Sequence, residues 1–253
     1  MQREKQQASK KKGGWLRRLG PIVSSPKALI GLAMVSFWIL VAAFGPLLVP
    51  YTPSEQDVDA VNEGPSRAHW LGTDDAGRDL LARLVSGARQ TLLLAPISVL
   101  AALAIGSTLG LVGGYFGGLV DEIVMRVLDA FMAMPTILLY LIIIAALGPS
   151  AVNIVLAITI GSAPGIARMV RSLTLDIRTR DYVAAAELRG EHPLYIMFVE
   201  ILPNARGPIM VDAMLRVGYA VFAIGTLGYL GLGMPPPTPD WGSMVERAHS
   251  HIF

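Results

Sequence analysis

Long uncharged stretches alternate with short blocks of charge along this chain, and that alternation predicts its elements. The first uncharged run, Leu29–Val49, has 21 residues. A helix needs about 20 apolar residues to cross a bilayer, so the run predicts a first transmembrane helix. It exceeds the ~7–15-residue core of a secretory signal and ends in a Gly45-Pro46 pair and Pro50, without a small-residue cleavage site. The helix is therefore read as retained. A turn-rich stretch follows, acidic at Glu55, Asp57, Asp59 and Glu63. Leu80, Leu81, Leu84 and Val85 then share one helical face, with Asp79 and Arg83 off it, which predicts an amphipathic surface helix.

The run Gln90–Val120 is long enough for a second span, and Ala102, Gly106 and Gly110 recur within it every fourth residue. Small residues at that spacing let helices approach closely in lipid. The next run, Ala130–Ala167, is too long for one span at about 1.5 Å per residue. Gly148-Pro149-Ser150 divides it, predicting two helices in a tight hairpin. From Arg168 to Arg206, arginines mix with carboxylates among strong helix formers, the signature of a structured polar loop. Pro208–Gly233 reads as a fifth span, and Pro235, Pro236 and Pro237 stop it because proline lacks the amide donor.

The predicted architecture is an all-α polytopic membrane protein with five transmembrane helices. Its parts are a basic cytoplasmic segment (1–28), a first helix with an extracytoplasmic segment (29–89) and a core domain (90–253). Within the core, spans fall at about 90–117, 125–147, 151–170 and 208–233, with a cytoplasmic loop at about 171–207. A cytoplasmic N-terminus puts fifteen Lys and Arg inside and five outside, in accord with the positive-inside rule. Arg83 and Arg89, beside the second span, run against it.

Composition agrees: 53% of residues are hydrophobic, 16% are charged and the mean hydropathy is +0.53. Soluble domains carry about 25% charged residues. The absence of cysteine excludes disulfides, thiolate zinc sites and cysteine nucleophiles. His69, His192, His249 and His251 show no metal-ligand spacing except the last two, which read more readily as an exposed terminal pair. The spans hold no histidine or cysteine and almost no carboxylate, which argues against an intramembrane enzyme. The glycines from Gly113 to Gly118 lack the Gly-Lys-Ser/Thr ending of a phosphate loop, so the chain is not expected to bind ATP. No nucleic acid partner is expected.

The segment Asp181–Asn204 carries the most informative motif. Ala184, Ala185 and Ala186 lead through Glu187 to Gly190, and a spacer then ends in Leu202-Pro203. Alanines allow a short helix to sit close against a partner, Gly190 permits a sharp turn, and Pro193 suits the first turn of a second short helix. This pattern resembles the cytoplasmic coupling loop of ATP-binding cassette importer permeases. Three further stretches, Leu71–Leu92, Gly114–Asp129 and Leu230–Gly242, resemble in order the C-type permeases of the dipeptide, oligopeptide and nickel transporters. The likeness covers roughly Ser25 to Met244. Two positions depart from it: Ala184 stands where the family has glutamate, and Glu200 where isoleucine is common. Glu187 is a candidate substitute for the missing carboxylate.

The resemblance implies an inner-membrane permease subunit without catalytic activity of its own. Its implied partners are a homologous second permease, two ATPase subunits that hold ATP and magnesium, and an extracytoplasmic solute-binding protein, all in a setting of membrane lipid. Peptides are the implied substrates, with nickel chelates, glutathione and peptide antibiotics as alternatives. A secondary transporter or channel is the rival class, but neither repeated halves nor charged midplane sites stand out. The resemblance also implies a sixth transmembrane helix, expected after Phe253. Within the fifth span, Asp212 and Arg216 are four residues apart and form a candidate intramembrane ion pair, read either as a pathway mark or as packing. Pro96, Pro135 and Pro164 are expected to bend their helices.

Overall fold

A computed structural model describes residues 25–250. Helix α1, Pro26–Leu48, begins with proline at its first position, where the missing amide costs nothing. Its 23 residues extend about 34 Å at 1.5 Å per residue. It touches the rest of the chain on a narrow stripe: Gly45 receives Val85, and Trp38 packs edge-on against Trp241 at 5.0 Å.

Residues 49–79 form a polar cap with one 3-10 turn, Val58–Ala60, and an interior of hydrogen bonds rather than hydrocarbon. Asp74 Oδ1 accepts the amides of Ala76 and Arg78, and its Oδ2 accepts Arg78 Nε at 2.8 Å. Burial pushes the Asp74 carboxyl up, but these bonds and the Arg78 and Arg83 charges outweigh it and hold the group below its ordinary value. Buried His69 pairs through Nδ1 with Asp79 Oδ2 at 3.0 Å and stacks on Tyr51.

Helix α2, Leu80–Phe116, is continuous over 37 residues, and Asp79 caps it by accepting the Ala82 amide at 2.7 Å. The expected separate surface helix at Leu80–Val85 is therefore the first part of the second long helix. Arg83, expected on the polar face, is buried; it donates to the Pro53 carbonyl at 3.0 Å and pairs with Asp74.

Gly117 and Gly118, both with positive φ, turn the chain into α3, Gly118–Met132. Helix α4, Thr136–Leu147, follows at 86° to α3, so the chain turns sharply inside the expected span at 125–147, at the proline where a bend is expected. Pro135 accounts for the break, since the residue before proline is driven from helical geometry. Helix α5, Ala151–Ile177, returns through the predicted hairpin, which Asn153 locks by donating to the carbonyls of Leu147 and Gly148. Pro96 and Pro164 lie inside continuous helices.

A short helix α6, Asp181–Leu188, precedes α7, Pro193–Tyr195, a π-helical turn over Ile196–Ile201, and α8, Leu202–Tyr229. The last three form one rod of 37 residues. The helix begins well before the span start expected at residue 208, because it runs on past its apolar part into charged territory. Some 55 Å of rod exceeds a hydrocarbon layer of about 30 Å. Helix α9, Trp241–Ser250, ends the described chain, and the expected sixth span lies outside the described residues. Among these residues four helices are long and apolar enough to cross a membrane, or five if α3 and α4 count as one broken span.

Two clusters make the core. One joins Leu94 and Val99 of α2, Ile144 of α4, Ile154 and Ile158 of α5, and Ile224 and Leu227 of α8. The other joins Leu111, Ile166 and Val170 to Val183, Ala186, Ile196 and Ile201, so the short helix and the π turn belong to the same packed body as the spans. Alongside the second cluster, α2 presents Gly106, Gly110 and Gly114 to α5. A Cβ on them would lie 2.7 Å from the Ala163 carbonyl oxygen, 2.8 Å from Val170 Cβ and 2.7 Å from Thr174 Cβ.

Candidate functional site

Helix α6 is half anchored and half displayed. Val183 and Ala186 are fully buried against Ile196, Met197 and Ile201, whereas Ala184, Ala185 and Glu187 face outward. Leu188 is 90% exposed, and Tyr182, Leu194, Tyr195 and Phe198 extend the exposed apolar surface around it. A compact helix showing small and apolar side chains at the tip of a bundle is the form of a docking surface.

The turn after α6 is set by hydrogen bonds. The Gly190 amide donates to the Glu187 carbonyl at 2.9 Å, and the Glu191 amide to the Ala186 carbonyl at 3.2 Å. These two bonds define a Schellman motif, which needs a left-handed residue; Gly190 supplies it with φ +75°. A Cβ at Gly190 would meet nothing within 4 Å, so conformation rather than space demands the glycine. Beyond the turn, His192 Nδ1 accepts the Leu194 amide at 3.2 Å and caps the new helix.

Leu202 packs against the second core cluster, while Pro203 is exposed where the π turn gives way to α8. In a tight α-turn the proline ring would strike the carbonyl of Val199; the wider π turn gives it room. The expected second short helix at Pro193 is thus the start of the long rod. Glu200 pairs with Arg189 at 3.7 Å, tying the end of α6 to that rod. The Tyr115 hydroxyl donates to Glu187 Oε1 at 3.3 Å, and Arg178 stands over the Tyr115 ring. Tyr115 escaped sequence reading because it sits in the glycine-rich stretch at the far end of α2, about seventy residues from its partner.

At the other end of α2, the stretches Leu71–Leu92 and Leu230–Gly242 meet. Trp241 Nε1 donates to the Leu84 carbonyl at 2.8 Å, and Arg83 reaches the Pro237 carbonyl at 3.4 Å. Asp240 is buried against Gly228, Gly233 and Gly242; its Oδ1 accepts the Gly242 amide, and its Oδ2 has no hydrogen-bond partner. Asp212 and Arg216 pair at 2.5 Å on α8, away from α6. No group of three or more histidine, aspartate or glutamate side chains among the described residues has the geometry of a metal site, and His251 lies outside them.

Residues 106–248 match the family of binding-protein-dependent transport system inner membrane components, and residues 22–65 match the N-terminal transmembrane domain of oligopeptide transport permease C. The chain belongs to this permease family. The dipeptide transport system permease protein DppC of Alkalihalophilus pseudofirmus is 39% identical over 238 residues, 94% of this chain and 78% of that protein. DppC of Escherichia coli is 44% identical over 225 residues, 87% of this chain and 75% of the relative. The glutathione transport system permease protein GsiD of Pectobacterium atrosepticum is 38% identical, covering 94% of this chain and 78% of its own length. Among solved structures, an inward-facing form of the MetNI methionine ABC transporter superposes with a TM-score of 0.52 at 25% identity, over 60% of this chain and 76% of the other. The helical bundle is accordingly an importer permease fold, and the permease is a multi-pass inner-membrane protein.

Proposed function

We infer that this permease carries short peptides through the inner membrane as the non-catalytic half of an ATP-driven importer. The observation that carries the reading is α6. It is rooted in the core by Val183 and Ala186, and it offers Ala184, Ala185 and Leu188 to a partner. A rigid connection between a docking surface and the long helices lets a motor that binds one face bias the whole bundle between two states. The motor consists of two ATPase subunits holding ATP and magnesium; this chain contributes no nucleotide site. A second, homologous permease completes the pathway, and an extracytoplasmic binding protein delivers substrate to the side bearing the polar cap. In this arrangement the N-terminus and α6 face the cytoplasm. Relatives named for dipeptides, and one named for the tripeptide glutathione, favour small peptides with free termini.

The test is gentle detergent extraction followed by affinity capture of this chain. An ATPase is expected in the eluate, and the assembled complex in liposomes should take up dipeptide only with ATP inside and binding protein outside. Uptake without an ATPase would establish the secondary-transporter class instead.

A further inference from the structure

Two glycines one turn apart on α5 open a recess toward α4 and α8. A Cβ at Gly161 would lie 2.5 Å from Tyr140 Cε1, and one at Gly165 would lie 3.0 Å from Arg216 Nη2. The Tyr140 ring and the Arg216 guanidinium use the space thus left. Beside them is a cavity of about 310 Å³ lined by Thr136, Tyr140, Ser162, Arg216, Tyr219 and Phe222, among others. That volume lies at the small end of the roughly 300–1,000 Å³ of ligand sites.

The guanidinium is held but not exhausted. Its Nε donates to Asp212 Oδ2, its Nη1 donates to the Ser162 carbonyl at 3.3 Å, and Nη2 has no hydrogen-bond partner among the described residues. The Arg216 and Asp212 side chains are only 22% and 26% exposed on a helix whose same stretch exposes Val211, Met214, Leu215 and Phe222. Charges facing hydrocarbon are costly, and those kept within membrane helices mark pathways or partners. An ion pair that served packing alone would need neither the glycine recess nor a cavity with tyrosine and serine hydroxyls beside it.

We propose that this recess receives the terminal carboxylate of the transported peptide, with Arg216 as the recognising cation and Asp212 as the residue that orients it. The planar guanidinium fork matches a carboxylate, and the Tyr219 and Phe222 rings suit the adjoining side chain. The proposal rests on the peptide reading given above.

The test uses the assembled complex. Without binding protein, a dipeptide bearing a photoreactive phenylalanine analogue should cross-link to α4 and α8 near Tyr140 and Tyr219. Alanyl-phenylalanine should compete, and its C-terminal amide should not. In liposomes, D212N/R216Q removes both charges together and leaves neither unpaired. It should raise the KM for dipeptide uptake about tenfold or more, the scale of a lost charged hydrogen bond, while R216K falls between it and the wild type. Equal competition by the amide, or a wild-type KM in the double variant, overturns the proposal even where the wild type imports peptide. A wild-type complex that imports no peptide overturns the transport reading and this assignment with it.

Discussion

Gly190 stands in open space, so what a substitution there costs is decided by its backbone and not by its neighbours. A side chain at φ +75° costs about 1–2 kcal/mol, and asparagine bears it better than most residues. We expect Gly190→Val to loosen the Schellman turn and cut ATP-driven uptake severalfold while membrane insertion stays normal, with Gly190→Asn close to the wild type. Equal uptake by the valine variant would remove the turn from the coupling path. Asp240 poses the opposite case, a side chain in too little space. Burial pushes its carboxyl above the ordinary value, against backbone bonds from Gly242, Met234 and Ser243 that pull it down. The folded state therefore holds the proton more tightly than the unfolded chain. Its contribution is complete below the unfolded value, about pH 4, and is lost as pH rises through the folded value. Asp240→Asn should remove that loss, so its melting temperature in detergent should decline less than the wild type's as pH rises through this window. Asp74 titrates with the opposite sign but is common to both proteins and cancels in the comparison.

The contact between α2 and α5 depends on what is missing from it. At Gly110 a Cβ would lie 2.8 Å from Val170 Cβ and 2.9 Å from the Arg171 amide nitrogen, atoms that cannot swing aside. Gly110→Leu is expected to force the helices apart at an overpacking cost of about 1–3 kcal/mol or more, read as a fall in melting temperature and in yield of the assembled complex. The same change at Gly218, where a Cβ meets nothing within 4 Å, should leave the melting temperature unchanged. The four-residue spacing made this face legible in the sequence through Ala102, Gly106 and Gly110, and the structure extends it to Gly114. Helix ends were less legible. Charge predicts boundaries at Arg89 and Arg206, but α2 and the rod ending in α8 run through both, because the portion of a helix outside lipid is free to carry charge. The bend at Pro135 is legible from the proline, but its size of 86° is not, because the apolar run continues through it. Of the proposed docking surface, the alanines and Gly190 are legible from their spacing. The Tyr115–Glu187 and Arg189–Glu200 links are not, since they join residues from different elements.

Across the whole permease the two ends of the bundle differ in kind. At one end the cap and the Leu230–Gly242 stretch lock together through buried Arg83 and Asp240 and partly buried Trp241. At the other, α6 leaves Leu188 and its neighbours uncovered. The cap holds its shape through its own hydrogen bonds although Trp70 and Val58 remain exposed, whereas α6 presents small and apolar side chains on a separate helix that gains from being covered. The proposed topology assigns the capped end to the side of the binding protein and the α6 end to the cytoplasm and its ATPases. A cysteine-free chain makes this directly measurable, because any introduced thiol is unique. A cysteine at exposed Leu188 should react with a membrane-impermeant maleimide only in inside-out vesicles, and one at exposed Trp70 only in right-side-out cells. Adding the ATPase subunits should then protect position 188 and leave position 70 reactive. Labelling of Leu188→Cys from outside intact cells would invert the topology and remove α6 from reach of any cytoplasmic motor.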